Sequence, residues 1–470
     1  MKKTTIGLIV GTRGFFPASL AEKGRKIMIR TLEARGFDVR IPGEKETPFG
    51  AVETLADARC YGRFFRGLSE EIQGLVVTLP NFGDEIGIIE TIERSGLKVP
   101  ILVHAWDDRT GEMDMARRRD SFCGKLSVCN NLYQHGIPFT NTTLHTCPPD
   151  SPDFLTDLDR FAGICRVVSG LRGARLGAIG QRPDAFATVR FSEKLLQASG
   201  ITVSTVDLSE IIETARGWND EEAVRKKLEE MAAYGPVVPG TPAGHLRKSA
   251  CLSLAVEAWI EEKQVDASAI QCWDSIQKNY GCATCLTMSM LGEKGSPSAC
   301  ETDVMGALSM YALQLASGEP SGFLDWNNNF DDQRDMCVNI HCSNYPKSFI
   351  GGGFEIGNLD ILGASLGEDR CFGALKTRIA PGPMTFARVS TDDVKGTIKV
   401  YVGEGEFREN PLNTVGGSAV CRVDNLQGLL NYMCENGFEH HVAMNRGLNG
   451  EVLAEALGKY MGWQVYHHKS

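Results

Sequence analysis

Two acidic residues and a set of histidines are the groups in this chain best suited to chemistry. Glu301 stands in "SACETDVMGALSMYALQLASGEPSGFLDWNNN", ahead of an apolar run at helical spacing, and Asp325 lies past the turn "GEPSG". Far downstream, "NGFEHHVAMNRG" sets His440 beside His441 in a chain with only nine histidines. His341, in "VNIHCSNYP", is a further imidazole. Two carboxylates plus a histidine form a donor set that a hard divalent cation such as Mn²⁺ accepts. Adjacent residues on a strand point to opposite faces, so only one of His440 and His441 is expected as a ligand. Plainer roles compete for each residue. Ser298-x-x-Glu301 fits a capping box, with Glu301 opening a helix and satisfying a backbone N–H. Asp325 suits a turn or cap, and His341 a structural role. His467 and His468 in "VYHHKS" read as tail.

Other chemistries lack their signatures. "GTRG" after the first apolar run and "GGGFEIG" both miss the GxGxxG spacing, and no Walker A sequence occurs. Nucleotide and nicotinamide cofactors are therefore not expected, and no organic cofactor is implied. The fifteen cysteines are scattered, and "CATC" (Cys282 to Cys285) is the one CxxC, with no second pair to complete a zinc site. With 49 basic and 59 acidic residues the chain carries −10 and has no Lys/Arg block, which argues against a nucleic-acid partner. The first apolar run, about six residues, is shorter than a signal-peptide core. No segment reaches the ~18–20 apolar residues that span a bilayer. A cytoplasmic location is expected.

These groups need a scaffold, and the chain supplies three textures. "TIGLIVG", "FDVRIP", "GLVVTLP" and "PILVHAW" are short β-rich runs alternating with helix-period segments. That pattern implies a doubly wound parallel sheet covered on both faces. It restarts with "ARLGAIG", "ITVSTVDLS" and "ASAIQCW". After "ASGEPSG", glycines multiply and "MTFARVS", "GTIKVYVGEGEF" and "SAVCRVD" alternate as antiparallel strands do. The expected fold is α/β: parallel-sheet domains at 1–168 and 169–318, then a β-rich, barrel-like domain at 319–470. The second domain would carry Gln271 and Glu301, and the third Asp325 and His441.

"CETDVMGALSMYAL" with "FLDWNNN", "APGPMTFARVS…KVYVGEGEF" and "HHVAM" together resemble the L-fucose isomerase and L-arabinose isomerase superfamily, metal-dependent aldose–ketose isomerases. "NFGDEIG" and "IQCWDSIQ" are similar to the family's substrate-site loops. The resemblance implies Glu301 and Asp325 as metal-binding carboxylates that also serve as catalytic base and acid. It implies His441 as the metal-binding histidine and Gln271 as a sugar contact. Arabinose isomerases use two histidines and fucose isomerases one, which leaves His341 an open position. Asn81, Trp273 and Trp326 are further candidates for binding the sugar. The family's hexameric or trimeric assembly implies a homo-oligomer with sites near subunit contacts, where Arg13 reaches a neighbour's site.

Moving a carbonyl from C1 to C2 requires loss of the weakly acidic C2 proton. A divalent cation bridging O1 and O2 stabilises the resulting ene-diolate, and two carboxylates can carry the proton between carbons. The expected substrate is a sugar: fucose, arabinose, a deoxy sugar or an anionic, sulfonated hexose. A non-catalytic sugar-binding or sensor protein is the rival reading, in which the α/β halves close on a ligand without metal. An NAD-linked oxidoreductase is a third, weakened by the missing glycine fingerprint.

Overall fold

The structure, a computed structural model, describes residues 3–469. The chain forms two compact units, one of Met1–Ser169 with Glu455–Gly462, the other of Gly170–Ala454 with Trp463–Ser470.

In the first unit the strands are β1 (Thr5–Val10), β2 (Asp38–Arg40), β3 (Gly74–Leu79), β4 (Ile101–Ala105) and β5 (Thr140–Asn141), all parallel in the order β2-β1-β3-β4-β5. Every residue of β1, β3 and β4 is buried. This is why these strands read as unbroken apolar runs rather than alternating ones. The two-residue side-chain period divides them between two cores. Ile9, Val77 and Val103 face one, while Leu8, Val76 and Leu102 face the other. Helices start where the local sequence caps them: Thr54 and Asp57 form a capping box, and Asp84 accepts the Gly87 N–H at 2.8 Å. The returning segment is tied in by Tyr460, whose hydroxyl meets Thr140 Oγ1 at 2.8 Å.

One buried histidine in this unit is structural. Trp106 Nε1–H donates to Thr78 Oγ1 (2.9 Å), which lies 3.0 Å from His104 Nδ1, and His104 Nε2 meets the Cys147 carbonyl at 2.9 Å. A chain of donors in that order leaves the ring neutral with its proton on Nε2.

The second unit holds two sheets. β6 (Arg175–Ile179), β7 (Thr202–Val206), β8 (Ala267–Ile270) and β9 (Ser298–Ala299) are parallel in the order β7-β6-β8-β9. The larger sheet contains β10 (Ser321–Asp325), β11 (Asn328–Phe330), β12 (Gln333–His341), β13 (Glu355–Asn358), β14 (Phe372–Arg378), β15 (Gly382–Asp392), β16 (Thr397–Arg408), β17 (Gly417–Arg422), β18 (His441–Arg446) and β19 (Gln464–His468). Its path is β10-β18-β15-β16-β17-β12-β11, antiparallel along that path, with β14 and β19 added parallel to β17 and β16. The barrel-like closure expected from sequence is not found among the described residues. β10 and β11 end the path and are joined through Trp326 and Asn327, so each takes a different neighbour and no ladder joins them.

The apolar helix Val304–Ser317 is buried along most of its length in this unit. Among the described residues no helix is long and apolar enough to cross a membrane.

Candidate metal centre and active site

Four side chains converge from four strand ends in the second unit. Glu301 follows β9, Asp325 closes β10, His341 closes β12 and His441 opens β18. Asp325 and His441 are direct cross-strand partners in the β10–β18 register. An antiparallel pair places such partners on the same face, within reach of one another. Glu301 is aimed differently. It and Thr302 occupy the left-handed region (φ 55° and 57°), a conformation disfavoured for residues with a Cβ and typical of functional turns.

The resulting geometry is even. His341 Nε2 lies 3.6 Å from Glu301 Oε2 and 3.7 Å from Asp325 Oδ1. His441 Nε2 lies 3.7 Å and 3.6 Å from the same two oxygens. Glu301, His341 and His441 are buried, while the Asp325 side chain keeps 20% exposure and opens the site to solvent. Glu301 Oε2 and Asp325 Oδ1 are buried atoms without a hydrogen-bond partner. Buried carboxylate oxygens are rarely left so. Two such oxygens facing two imidazole nitrogens have the donor types and spacing of a divalent-cation site. The residues present therefore fit a metal.

Charge in the site is strongly coupled. Burial pushes the Glu301 carboxyl up, but the imidazoles of His341 and His441 and the Trp273 N–H outweigh it and hold it at about 2. Burial pushes His341 down, and the charges of Asp325 and Glu301 raise it well above the usual histidine range. Both shifts say that the pocket wants positive charge between its carboxylates.

A buried ionic network holds His441. Its Nδ1–H donates to Asp303 Oδ2 at 2.7 Å, which leaves the Nε2 lone pair facing the carboxylates. Arg388, fully buried, grips Asp303 with two nitrogens (2.6 and 3.1 Å) and donates to Glu439 Oε2 at 3.1 Å. Asp303 also caps the Val304–Ser317 helix by accepting the Gly306 N–H at 2.8 Å. That corrects the sequence expectation for this turn: Asp303 caps the helix, while Glu301 sits two residues earlier in the left-handed turn and is freed for the site.

The other expected residues are distributed as follows. Trp273 donates its indole N–H to Glu301 Oε1 at 3.0 Å. Gln271 Oε1 accepts the backbone N–H of Gln181 at 3.0 Å and so anchors the loop that follows β6. Trp326 is turned into the sheet core, its N–H on the Tyr401 hydroxyl at 3.0 Å and its ring edge-on to Phe386. His440 precedes β18, so strand alternation does not separate it from His441; their ring centroids are 4.6 Å apart. Its carbonyl accepts the Trp326 backbone N–H, and a ring nitrogen lies within 4.8 Å of ligand atoms of Asp325 and His441. Asn81 and Arg13 belong to the first unit. Asn81 is buried and donates to Thr12 Oγ1 at 3.0 Å, while Arg13 pairs with Glu85 and lies over the Phe82 ring.

Sequence reasoning missed Asp303, Arg388 and Phe186. The Phe186 ring covers the site from the loop after β6, its centroid 5.6 Å from Trp273, 5.6 Å from His440 and 5.8 Å from His441. Asp303 could have been found as an N-cap residue directly before an apolar run. Nothing in "QRPDAFATVR" distinguishes Phe186 from any loop aromatic.

Comparison with known proteins bears on the family. Residues 7–172 match the family model described as fucose/sulfoquinovose isomerase, N-terminal domain, and residues 339–469 match that of L-fucose isomerase, C-terminal domain. Proteins named sulfoquinovose isomerase from Priestia megaterium (strain ATCC 12872 / QMB1551) and Priestia aryabhattai are each 24% identical over 469 residues, covering 99% of both chains. One of that name from Clostridium sp. (strain MSTE9) is 28% identical over 77% of this chain and 80% of its own. A D-allose-bound periplasmic solute-binding protein from Actinobacillus succinogenes 130z aligns at 11% identity over 67% of this chain and 93% of its own. Its TM-score of 0.16 is too low to bear on fold. Two family domains matched in order, with relatives named sulfoquinovose isomerase along nearly the whole chain, lead to one assignment: the chain belongs to the L-fucose isomerase-like superfamily and is an aldose–ketose isomerase.

Proposed function

We propose that the enzyme interconverts a sulfonated aldohexose and its ketose through an ene-diol, using one divalent cation, Mn²⁺, held by Glu301, Asp325, His341 and His441. The observation that carries the metal is the pair of partnerless oxygens, Glu301 Oε2 and Asp325 Oδ1, each 3.6–3.7 Å from two imidazole nitrogens. The sulfonated substrate is supported by the relatives' shared name, sulfoquinovose isomerase, over nearly the whole chain.

When bound, the ion supplies Lewis-acid stabilisation of the negative charge that develops on O1 and O2. The chain supplies the rest. Glu301, held ionised, can accept the C2 proton, and Asp325 completes the pair that returns a proton to C1. Trp273 fixes the second Glu301 oxygen and so limits rotation of the carboxylate. Asp303 sets the His441 tautomer. Phe186 and Trp273 give the site an apolar wall that keeps water from the reacting carbons. We also assign a homo-oligomer, hexamer or trimer, working in the cytoplasm. The exposed apolar side chains Phe15, Ile86 and Met115 of the first unit suit burial by a second copy.

A metal-supplemented panel of aldoses and ketoses tests the reading. Turnover should require added divalent ion, and a sulfonated aldohexose should be converted with higher kcat/KM than L-fucose or L-arabinose. Glu301→Gln should abolish interconversion while circular dichroism shows the fold intact; a folded, active variant refutes the role.

A further inference from the structure

Directly behind the candidate metal centre lies a cluster of thiols for which the isomerase reaction has no use. Cys300 immediately precedes Glu301, Cys342 immediately follows His341, and Cys272 stands between Gln271 and Trp273. The Cys300 side chain interacts with those of both Cys272 and Cys342. The thiol sulfurs of Cys272 and Cys300 and a carboxylate oxygen of Glu301 all lie within 4.8 Å of one another. All three cysteines are free thiols, and Cys285 is the next thiol in the same cluster. We propose that Cys272, Cys300 and the Glu301 carboxylate, with Cys342 at hand, form a second metal site for a thiophilic cation such as Cd²⁺, and that filling it inactivates the enzyme.

The chemistry of the two donor sets separates their ligands. Imidazole and carboxylate donors suit harder divalent ions, whereas thiolates select soft ones. A tetrahedral ion with the zinc–thiolate bond length of ~2.3 Å spaces its ligands about 3.8 Å apart, and the larger Cd²⁺ spaces them somewhat wider, so small side-chain rotations suit the present separations. Binding replaces two S–H bonds with two S–metal bonds, releases two protons to solvent and changes no oxidation state. Glu301 belongs to both donor sets, one with Cys272 and Cys300, the other with His341 and His441. A cation on the thiols therefore draws this carboxylate away from the reacting centre. Entry is through the open side of the site, where Asp325 is 20% exposed and Cys342 is only partly buried. The inactivation rests on the isomerase reading; the binding does not.

The test is a Cd²⁺ titration of the full chain in a Cys123→Ser/Cys434→Ser background, which removes the exposed thiols. Binding is read from the thiolate-to-cadmium charge-transfer band, and activity in parallel at saturating Mn²⁺. The expected result is one Cd²⁺ per chain in the band, with activity lost at the same stoichiometry. Cys272→Ser and Cys300→Ser should each weaken the band about ten-fold or more in Cd²⁺ affinity and protect activity to match. If Cys300→Ser fails to fold by circular dichroism, Cys272→Ser decides. The proposal is overturned by absence of the band, by a band unchanged in the folded variants, or by inhibition without a band, which would place Cd²⁺ on the imidazole side. Should the untreated protein isomerise no sugar, the band alone still decides the site.

Discussion

Replacing Asp303 by Asn separates the ligands of the metal centre from the groups that hold them. Asp303 is not one of the four proposed ligands; its Oδ2 takes the His441 Nδ1–H and one Arg388 nitrogen, and its Oδ1 takes the Gly306 N–H and a second Arg388 nitrogen. Every one of these partners donates. Asparagine keeps one acceptor oxygen and turns an NH₂ toward donors on its other side, so at least one pair becomes donor against donor. Burial pushes the Asp303 carboxyl up, yet the Arg388 charge and the His441 hydrogen bond outweigh it and hold it below the ordinary aspartate range. Loss of an outer partner of a metal-binding histidine costs about 10–100-fold in metal affinity, or about 1.4–2.7 kcal/mol. Stability should fall as well. Arg388 is fully buried and would keep Glu439 as its one anionic partner, and breaking a buried charge pair costs about 3–5 kcal/mol. Mn²⁺ titration by electron paramagnetic resonance reads the first effect, and urea unfolding in metal-free buffer the second. A folded Asp303→Asn protein whose Mn²⁺ affinity stays within about two-fold of wild type would refute the positioning role.

Other perturbations follow from the same geometry. His341→Ala removes a proposed ligand and should weaken Mn²⁺ binding beyond the ~10–100-fold of an outer-partner change, while His440→Ala should fall short of it; calorimetric titration of both variants checks the order. Gly124→Ala would put its Cβ 1.6 Å from the Phe82 carbonyl oxygen. Backbone cannot yield that far cheaply, so the melting temperature should drop by the equivalent of about 1–3 kcal/mol or more. For His104, burial holds the pKa down at about 3. Above pH 6.5 both folded and unfolded states are neutral and the ring contributes no pH dependence. Below it only the unfolded state takes the proton, so stability falls by up to about 1.4 kcal/mol per pH unit until the folded pKa is reached. Urea unfolding at pH 7, 6 and 5 should show that slope, and His104→Gln should flatten it; equal slopes would exclude His104 as the cause.

What the sequence disclosed and what it withheld divide along physical lines. Strands β1, β3 and β4 were legible because burial on both faces makes each an unbroken apolar run between helix-period segments. β15 and β16 were legible as long runs that mix apolar with polar residues, although β15 is buried without a break from Met384 to Ser390. Closure of the sheet was not legible, since alternation states which face is buried and says nothing of which edge meets which. The same limit governs the site. Glu301, Asp325, His341 and His441 could be named by donor type, but their convergence is a matter of register. Asp325 meets His441 only because β10 and β18 pair as they do, and a one-residue slip would turn His441 to the other face. Asp303 was hidden by a local competitor. Ser298-x-x-Glu301 has the spacing of a capping box, and only the left-handed pair at 301 and 302 moves the helix start past it. His440 and His441 make the point most sharply. Alternation would have parted their rings, yet the strand begins at His441, so the rule stops one residue short and the two rings touch. Donor chemistry is thus written locally, while the position of each donor is set by pairing and turn conformation. A site assembled from four strand ends therefore shows its composition in the sequence and its shape only in the fold.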